Sequence, residues 1–227
     1  MILKIKILVY KVIFKFFRIS PLRNFDVSKE ILRFFGTKGF QTVLIGANDV
    51  VSFDNIEEVL EKSTRVVLIE PHPKYFQILQ EKYLNNKKYI LISRAIHLTE
   101  ENMNLYSVSD IGKYETWVQG ISSFNINHLI QNKIHPNDIQ VFKVNCVSVE
   151  DLLSNYTLKN VPLYIQIDVE GYDFEVFKGI NFNKFLIKFL KIEIVHLKIT
   201  EVIKIRTELS RNKFVSFQLK NDLIAIR

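Results

Sequence analysis

An α/β domain, with a mostly parallel sheet, helices on both faces and a C-terminal antiparallel hairpin, is the fold class this chain predicts. Apolar runs that end abruptly on polar chemistry are the first observation. Thr42-Val43-Leu44-Ile45 stops at Gly46-Ala47-Asn48-Asp49, Arg65-Val66-Val67-Leu68-Ile69 at Glu70-Pro71, and Tyr164-Ile165-Gln166-Ile167 at Asp168-Val169-Glu170-Gly171. Runs apolar at successive positions suit strands covered on both faces. Segments with apolar residues at helical spacing alternate with these runs, which is the second observation and predicts parallel pairing. The third is at the C-terminus, where Phe214 to Leu219 and Leu223 to Ile226 are separated only by Lys220, Asn221 and Asp222. So short a link makes a hairpin, because a parallel crossover needs about a dozen residues or more.

In chain order, a helix is expected from Val27 to Phe35, started by Asp26 or Ser28 and stopped near Gly36. Strands are expected at about 41 to 46, 65 to 70, 89 to 94, 103 to 108, 140 to 147, 162 to 169, 189 to 195, 214 to 219 and 223 to 227, from their apolar and β-branched content. Helices fill the gaps at Phe53 to Glu61, Lys74 to Tyr83, Val149 to Leu153, Tyr172 to Lys178 and Glu201 to Arg211. The polar stretch from Ser109 to Asn137 is long for a connection between strands and is a natural place for a lid over an acceptor.

The chain has 227 residues, 48% of them hydrophobic, and no Pro/Gly/Ser-rich stretch or repeat divides it. That is enough for one well-packed domain, read as residues 40 to 227, preceded by a basic apolar segment and helix over residues 1 to 39. The lone Cys146 has no internal partner for a disulfide, which fits a reducing compartment, and it reads as a small buried hydrophobe. The expected location is cytoplasmic. A formal charge of +7 does not mark a nucleic-acid face here, because much of the basicity is local. On a helix over Met1 to Ile19, Lys4, Lys11, Lys15 and Arg18 share one stripe, Lys6 lies off it, and apolar residues fill the rest. No apolar run there approaches the roughly 20 residues of a membrane span or the roughly 7 to 15 of a signal-peptide core. Two readings stay open: peripheral contact of residues 1 to 19 with a membrane surface, or a helix or strand docked on the domain's own core or on a second subunit of a dimer.

A strand, a small-residue turn, a helix and then a strand ending in an acid form the usual nucleoside cradle of a doubly wound sheet. The glycine allows close backbone approach, and the acid accepts hydrogen bonds from ribose hydroxyls. Gly46 and Glu70 occupy those places. Side chains alternate along a strand, so Asp168 and Glu170 are expected to point the same way at the carboxyl edge where open sheets bind ligands. Gly171 lets the backbone turn after them.

A parallel sheet finished by a hairpin is the arrangement of class I methyltransferases, and the residues resemble the FkbM family of S-adenosylmethionine-dependent methyltransferases. The resemblance lies in Ile45-Gly46-Ala47-Asn48-Asp49, Ile69-Glu70-Pro71-His72-Pro73, Arg94-Ala95-Ile96, Gly120-Ile121-Ser122-Ser123-Phe124, Val147-Ser148-Val149-Glu150-Asp151-Leu152-Leu153, Ile167-Asp168-Val169-Glu170-Gly171-Tyr172-Asp173 and Glu193-Ile194-Val195-His196-Leu197. Order and spacing agree from about residue 40 to the C-terminus. The resemblance implies S-adenosylmethionine as cofactor, with backbone around Gly46, Ala47 and Asn48 against its methionine part. It further implies Glu70, followed by Pro71, at the ribose, Ala95 beside the adenine, and Asp168 and Glu170 where the methionine part meets the acceptor, Asp168 being the better candidate as the first polar residue after the buried strand. The chain departs from the family at Val50, where another glycine usually closes the first turn. A Val50 that begins the next helix with ordinary negative φ preserves the turn, and that is the expectation.

The implied activity is O-methylation of a hydroxyl on a sugar, glycan precursor or other small metabolite. Such a hydroxyl holds its proton at neutral pH, so a general base is needed, and Asp168, Glu193 and His196 are the catalytic candidates. Glu193 and His196 face opposite ways on an ideal strand, so the chain must turn near Val195 for both to reach one site. A divalent ion on Asp168 and neighbouring carboxylates is compatible with the sequence but not implied by it, and no metal ligands are assigned. His97, His128 and His135 show no ligand pattern with Cys146 or one another. His72, in a Pro-x-Pro turn, reads as a surface residue. Trp117, Tyr114 and Phe124 in the insertion either stack on sugar rings or form a satellite cluster beneath the loop. Two competing readings are a hydride-transferring dinucleotide enzyme, disfavoured because the turn lacks the second and third fingerprint glycines, and a non-catalytic docking module that retains the fold.

Overall fold

The computed structural model describes residues 26–36, 39–51, 56–109, 111–115, 118 and 120–227. The basic stripe expected over Met1 to Ile19, with its membrane or dimer contact, and the ring of Trp117 lie outside the described residues. Among the described residues no helix is long and apolar enough to cross a membrane.

Helix α1 (Val27–Phe35) starts at Asp26, whose carboxylate accepts from Lys29 N at 3.1 Å, and stops at Gly36, where φ is +57°. It buries Ile31 and Phe35 among Leu44, Leu60 and Leu68, and the Phe35 ring stacks on Phe40 at 4.4 Å. The first βαβ run is β1 (Gln41–Ile45), α2 (Ile56–Lys62), β2 (Arg65–Ile69), α3 (Pro73–Tyr83) and β3 (Tyr89–Ile92). After a small subdomain the chain returns through α5 (Val149–Tyr156), β8 (Leu163–Ile167), α6 (Asp173–Lys178), β9 (Ile187–Glu193), α7 (Ile199–Arg211), β10 (Val215–Leu219) and β11 (Asp222–Ile226).

The main sheet has the order β10-β11-β9-β8-β1-β2-β3, parallel except at β11, which is antiparallel to both β9 and β10. This is the class I methyltransferase fold the sequence predicts. The apolar strands feed two cores. Val43, Ile45, Val67, Ile69, Ile165 and Ile167 face one cluster with α5, α6 and α7, while Leu44, Val66, Leu68 and Tyr164 face the other with α1 and α2. Strand alternation therefore explains why these runs need apolar residues at nearly every position.

The strands expected at 103 to 108 and 140 to 147 do not enter that sheet. They form β5 (Asn102–Val108) and β7 (Ile139–Val147), paired antiparallel, with β4 (Ala95–Ile96) and β6 (Ser122–Ser123) completing a separate sheet of order β4-β7-β5-β6. Their side chains explain why. Leu105, Val144 and Cys146 are buried on one face, while Asn102, Asn104, Lys143 and Asn145 stay exposed, an alternation that suits a sheet covered on one side only. The insertion packs Val118, Ile121, Leu129 and Ile134 into a satellite cluster with Val108. It also carries α4 (Ile126–Gln131), capped by Asn125 accepting from Asn127 N.

Val50 corrects another expectation. It does not begin a helix with negative φ; its φ is +68°, and its side chain is fully buried beside Ala47, Ile56 and Val59. The valine thus keeps the left-handed turn that a glycine makes without strain. This conformation costs a β-branched residue on the order of 1–2 kcal/mol, while burial of its side chain contributes about 1.5–3 kcal/mol. Val50→Gly should therefore lose more packing than it gains in strain relief and melt a few degrees lower. Because Val50 faces the core, cofactor affinity should stay within about threefold of wild type. Thermal melting and calorimetric titration check both parts, and a large change in affinity would place the side chain in the ligand site.

Candidate active site

Strand register builds the site. Ile45 pairs with Ile69 of β2 and with Ile167 of β8, Ile69 with Ile92, and Ile167 with Ile192. The residues that follow, Gly46, Glu70, Asp168 and Glu193, therefore emerge side by side at the carboxyl edge, at the point where strand order reverses on either side of β1. A cavity of about 340 Å³ opens there, bordered by Gly46, Asn48, Glu70, Pro71, Ala95 and Asp168, with the small sheet and insertion on its far side.

Gly46 has φ +80°, and a Cβ there would lie 1.8 Å from the Asp168 carbonyl oxygen, so backbone meets backbone with no room for a side chain. Gly46 N and Ala47 N both donate to Ile69 O, fastening the turn to β2. Ala47 does not border the cavity. Its methyl group turns into the core, leaving Gly46 and Asn48 as the exposed part of the turn. Glu70 is 5% exposed, and its two carboxylate oxygens accept from Asn48 N at 2.8 Å and His72 N at 2.7 Å. Burial raises its pKa to about 7 even though those two bonds oppose the rise. The acid thus ties the glycine turn to β2 and presents its edge to the cavity.

His72 is no surface residue. It is 4% exposed, its Nδ1 accepts from Lys74 N, and its Nε2 lies 3.1 Å from Ser107 Oγ. With Nδ1 accepting, the proton sits on Nε2 and donates to the serine; burial lowers the pKa to about 4 and keeps the ring neutral. The histidine links α3 to β5, joining the two sheets.

At β8 the geometry also differs from simple alternation. The strand ends at Ile167, Glu170 has φ +51° and Gly171 φ +94°. The buried Asp173 carboxylate drives the curl by accepting from Val169 N and Gly171 N, each at 3.1 Å. Asp168 and Glu170 both border the cavity, but through this turn rather than as neighbours on one strand face. Burial, followed by the charge of Glu170, raises the Asp168 pKa.

After β9 the chain turns, with Leu197 N donating to Ile194 O. His196 Nε2 then lies 3.4 Å from Glu170 Oε2 and 4.0 Å from Glu193 Oε2. Glu170 raises the His196 pKa chiefly through this contact, and burial followed by the charge of Asp168 raises that of Glu193. Glu193 and His196 thus come together, yet neither borders the cavity, which they reach only through Asp168 and Glu170.

Sequence reading missed His128. From α4 it stacks edge to face on His196 with ring centroids 4.5 Å apart, although the two are 68 positions apart in the chain. No local pattern signals that pairing. Also lining the cavity, Phe124 and Tyr172 meet edge to face at 5.2 Å, and Tyr172 stacks on His97 at 5.4 Å. Tyr114 is tied away, its hydroxyl donating to Asp138 at 2.8 Å.

Comparison with known proteins gives this geometry a family. The chain is 33% identical over 102 residues to "Transaldolase" of Prochlorococcus marinus (strain NATL2A), but that stretch is 42% of the chain and 29% of the curated relative's length. It identifies no family. Among solved structures, the chain is similar to methyltransferase FkbM from Methylobacillus flagellatus KT, with a TM-score of 0.50 and 15% identity over 83% of this chain and 44% of that one. The likeness supports the fold. A lower one, TM-score 0.39 and 10% identity, covers 83% of this chain and 80% of precorrin-6y C5,15-methyltransferase from Geobacter metallireducens GS-15. The family model described as "Methyltransferase FkbM domain" matches residues 45–216, from the last residue of β1 to the second of β10. The chain belongs to the FkbM methyltransferase domain family.

Proposed function

We propose that the protein transfers a methyl group from S-adenosylmethionine to a hydroxyl of a sugar, glycan precursor or other small metabolite. The carrying observation is the register that sets Gly46, Glu70 and Asp168 around one cavity in a member of this family. The residues suit the cofactor: Gly46 removes the side chain where the methionine part would pass, Glu70 offers a carboxylate for two ribose hydroxyls, and Ala95 leaves a flat apolar wall for the adenine.

S-adenosylmethionine supplies an electrophilic methyl on a sulfonium sulfur. Asp168 borders the cavity that an acceptor hydroxyl would enter, and its carboxylate would take the hydroxyl proton during methyl transfer. Glu193 and His196 act behind it, fixing the carboxylates that border the cavity. Phe124 and Tyr172 offer ring faces and edges on which a sugar can pack, which favours a glycan-like acceptor.

Calorimetric titration of the full chain with S-adenosylmethionine, followed by transfer of labelled methyl to candidate sugars, tests the reading. Saturable binding and an O-methylated product are expected. Binding without transfer across acceptor classes would favour the docking-module reading, and failure to bind would overturn the proposal.

A further inference from the structure

We propose that His128, Glu170 and His196 bind a divalent transition-metal cation of the zinc or cobalt type. One ligand atom from each residue lies within 4.8 Å of the other two. The residues arrive on three separate segments: α4 of the insertion, the turn after β8 and the turn after β9. A second observation points the same way. Both ring nitrogens of His128 are shielded from solvent, and neither has a hydrogen-bond partner. At least one is expected to carry a bond when buried, and an unmet one costs about 1–3 kcal/mol. Glu193 Oε2 is likewise buried without a hydrogen-bond partner, 4.0 Å from His196 Nε2.

A cation answers the His128 feature at one of its ring nitrogens, since it takes a neutral imidazole lone pair from each histidine and a carboxylate oxygen from Glu170. Two imidazoles with one carboxylate suit zinc-like ions, whereas magnesium prefers oxygen alone. Three protein ligands leave further coordination positions open. Binding would also fasten α4, and with it the insertion, to the carboxyl edge of the main sheet. Glu170 borders the cavity as well, so the ion would place positive charge beside it. Any effect on an acceptor hydroxyl rests on the methyl-transfer reading, whereas the binding itself does not.

The test uses the full chain stripped with a chelator, without cofactor or acceptor. Equilibrium dialysis against Zn²⁺ should show uptake of one equivalent, Zn²⁺ should raise the melting temperature, and Co²⁺ should develop a visible spectrum of bound nitrogen ligands. His128→Ala and His196→Ala should each weaken Zn²⁺ binding by more than about 100-fold, beyond the usual loss from removing an outer partner. His135→Ala, on an exposed residue away from the cluster, should not. His196 is partly exposed, so its variant keeps the test open if His128→Ala fails to fold. Absent uptake, unchanged affinity in a folded variant of either histidine, or an equal melting shift with Mg²⁺ would each overturn the site.

Discussion

Asp168→Asn should cost about 100- to 10,000-fold in kcat while the protein melts close to wild type. The rate range is that of a positioned general base. Asparagine keeps the side chain's shape and the backbone around it, where Asp168 N donates to Ile45 O and the Asp168 carbonyl packs on Gly46. It removes only a charge that burial and Glu170 already disfavour, so little stability is at stake. Methyl transfer and thermal melting are measured on the same preparation. Full activity, or unfolding with no separate kinetic defect, would take Asp168 out of the reaction.

Glu70 carries the second large effect. On the proposed ribose role, replacement by Ala removes an acceptor for two hydroxyls and should weaken S-adenosylmethionine binding by about 10- to 150-fold, or 1.5–3 kcal/mol. The structure adds a structural share to that loss, because the same carboxylate holds Asn48 N and His72 N. Acidity separates the two roles. With its folded pKa raised from 4.5 to about 7, Glu70 contributes stability that is fully present below its unfolded pKa and is lost as pH rises through about 7. Ribose binding runs the other way, since the ionised form accepts both hydroxyls. Affinity should therefore climb with pH, by up to tenfold per unit below about 7, and level off above it. Glu70→Gln should flatten this dependence. Titrations between about pH 6 and 8 decide the matter, and a wild-type affinity that ignores pH would remove Glu70 from the ribose.

The family blocks at Gly46, Glu70 and Asp168 were legible because each joins a buried strand to a turn at the candidate site, and both leave marks in a short window. Ile45-Gly46, Ile69-Glu70 and Ile167-Asp168 each show an apolar run broken by one special residue. The hairpin was legible for a similar reason, its link being too short for any other pairing. The small sheet was not: β5 and β7 read as strands, but a strand does not encode which sheet it joins. Partners lie far along the chain, and the choice depends on which faces are already covered.

The sequence by itself determined the strand order's local units, the acids at their ends and the family. Tertiary structure alone decided Val50's left-handed turn, because the surrounding core holds that conformation against the residue's own preference. It buried His72 by laying β5 against it. It also set His128 on His196 beside Glu170, through an insertion whose fold rests on its own apolar cluster. The physical reason is common to all three. Local pattern fixes which elements form and how they end, while burial and pairing between distant segments fix which side chains meet.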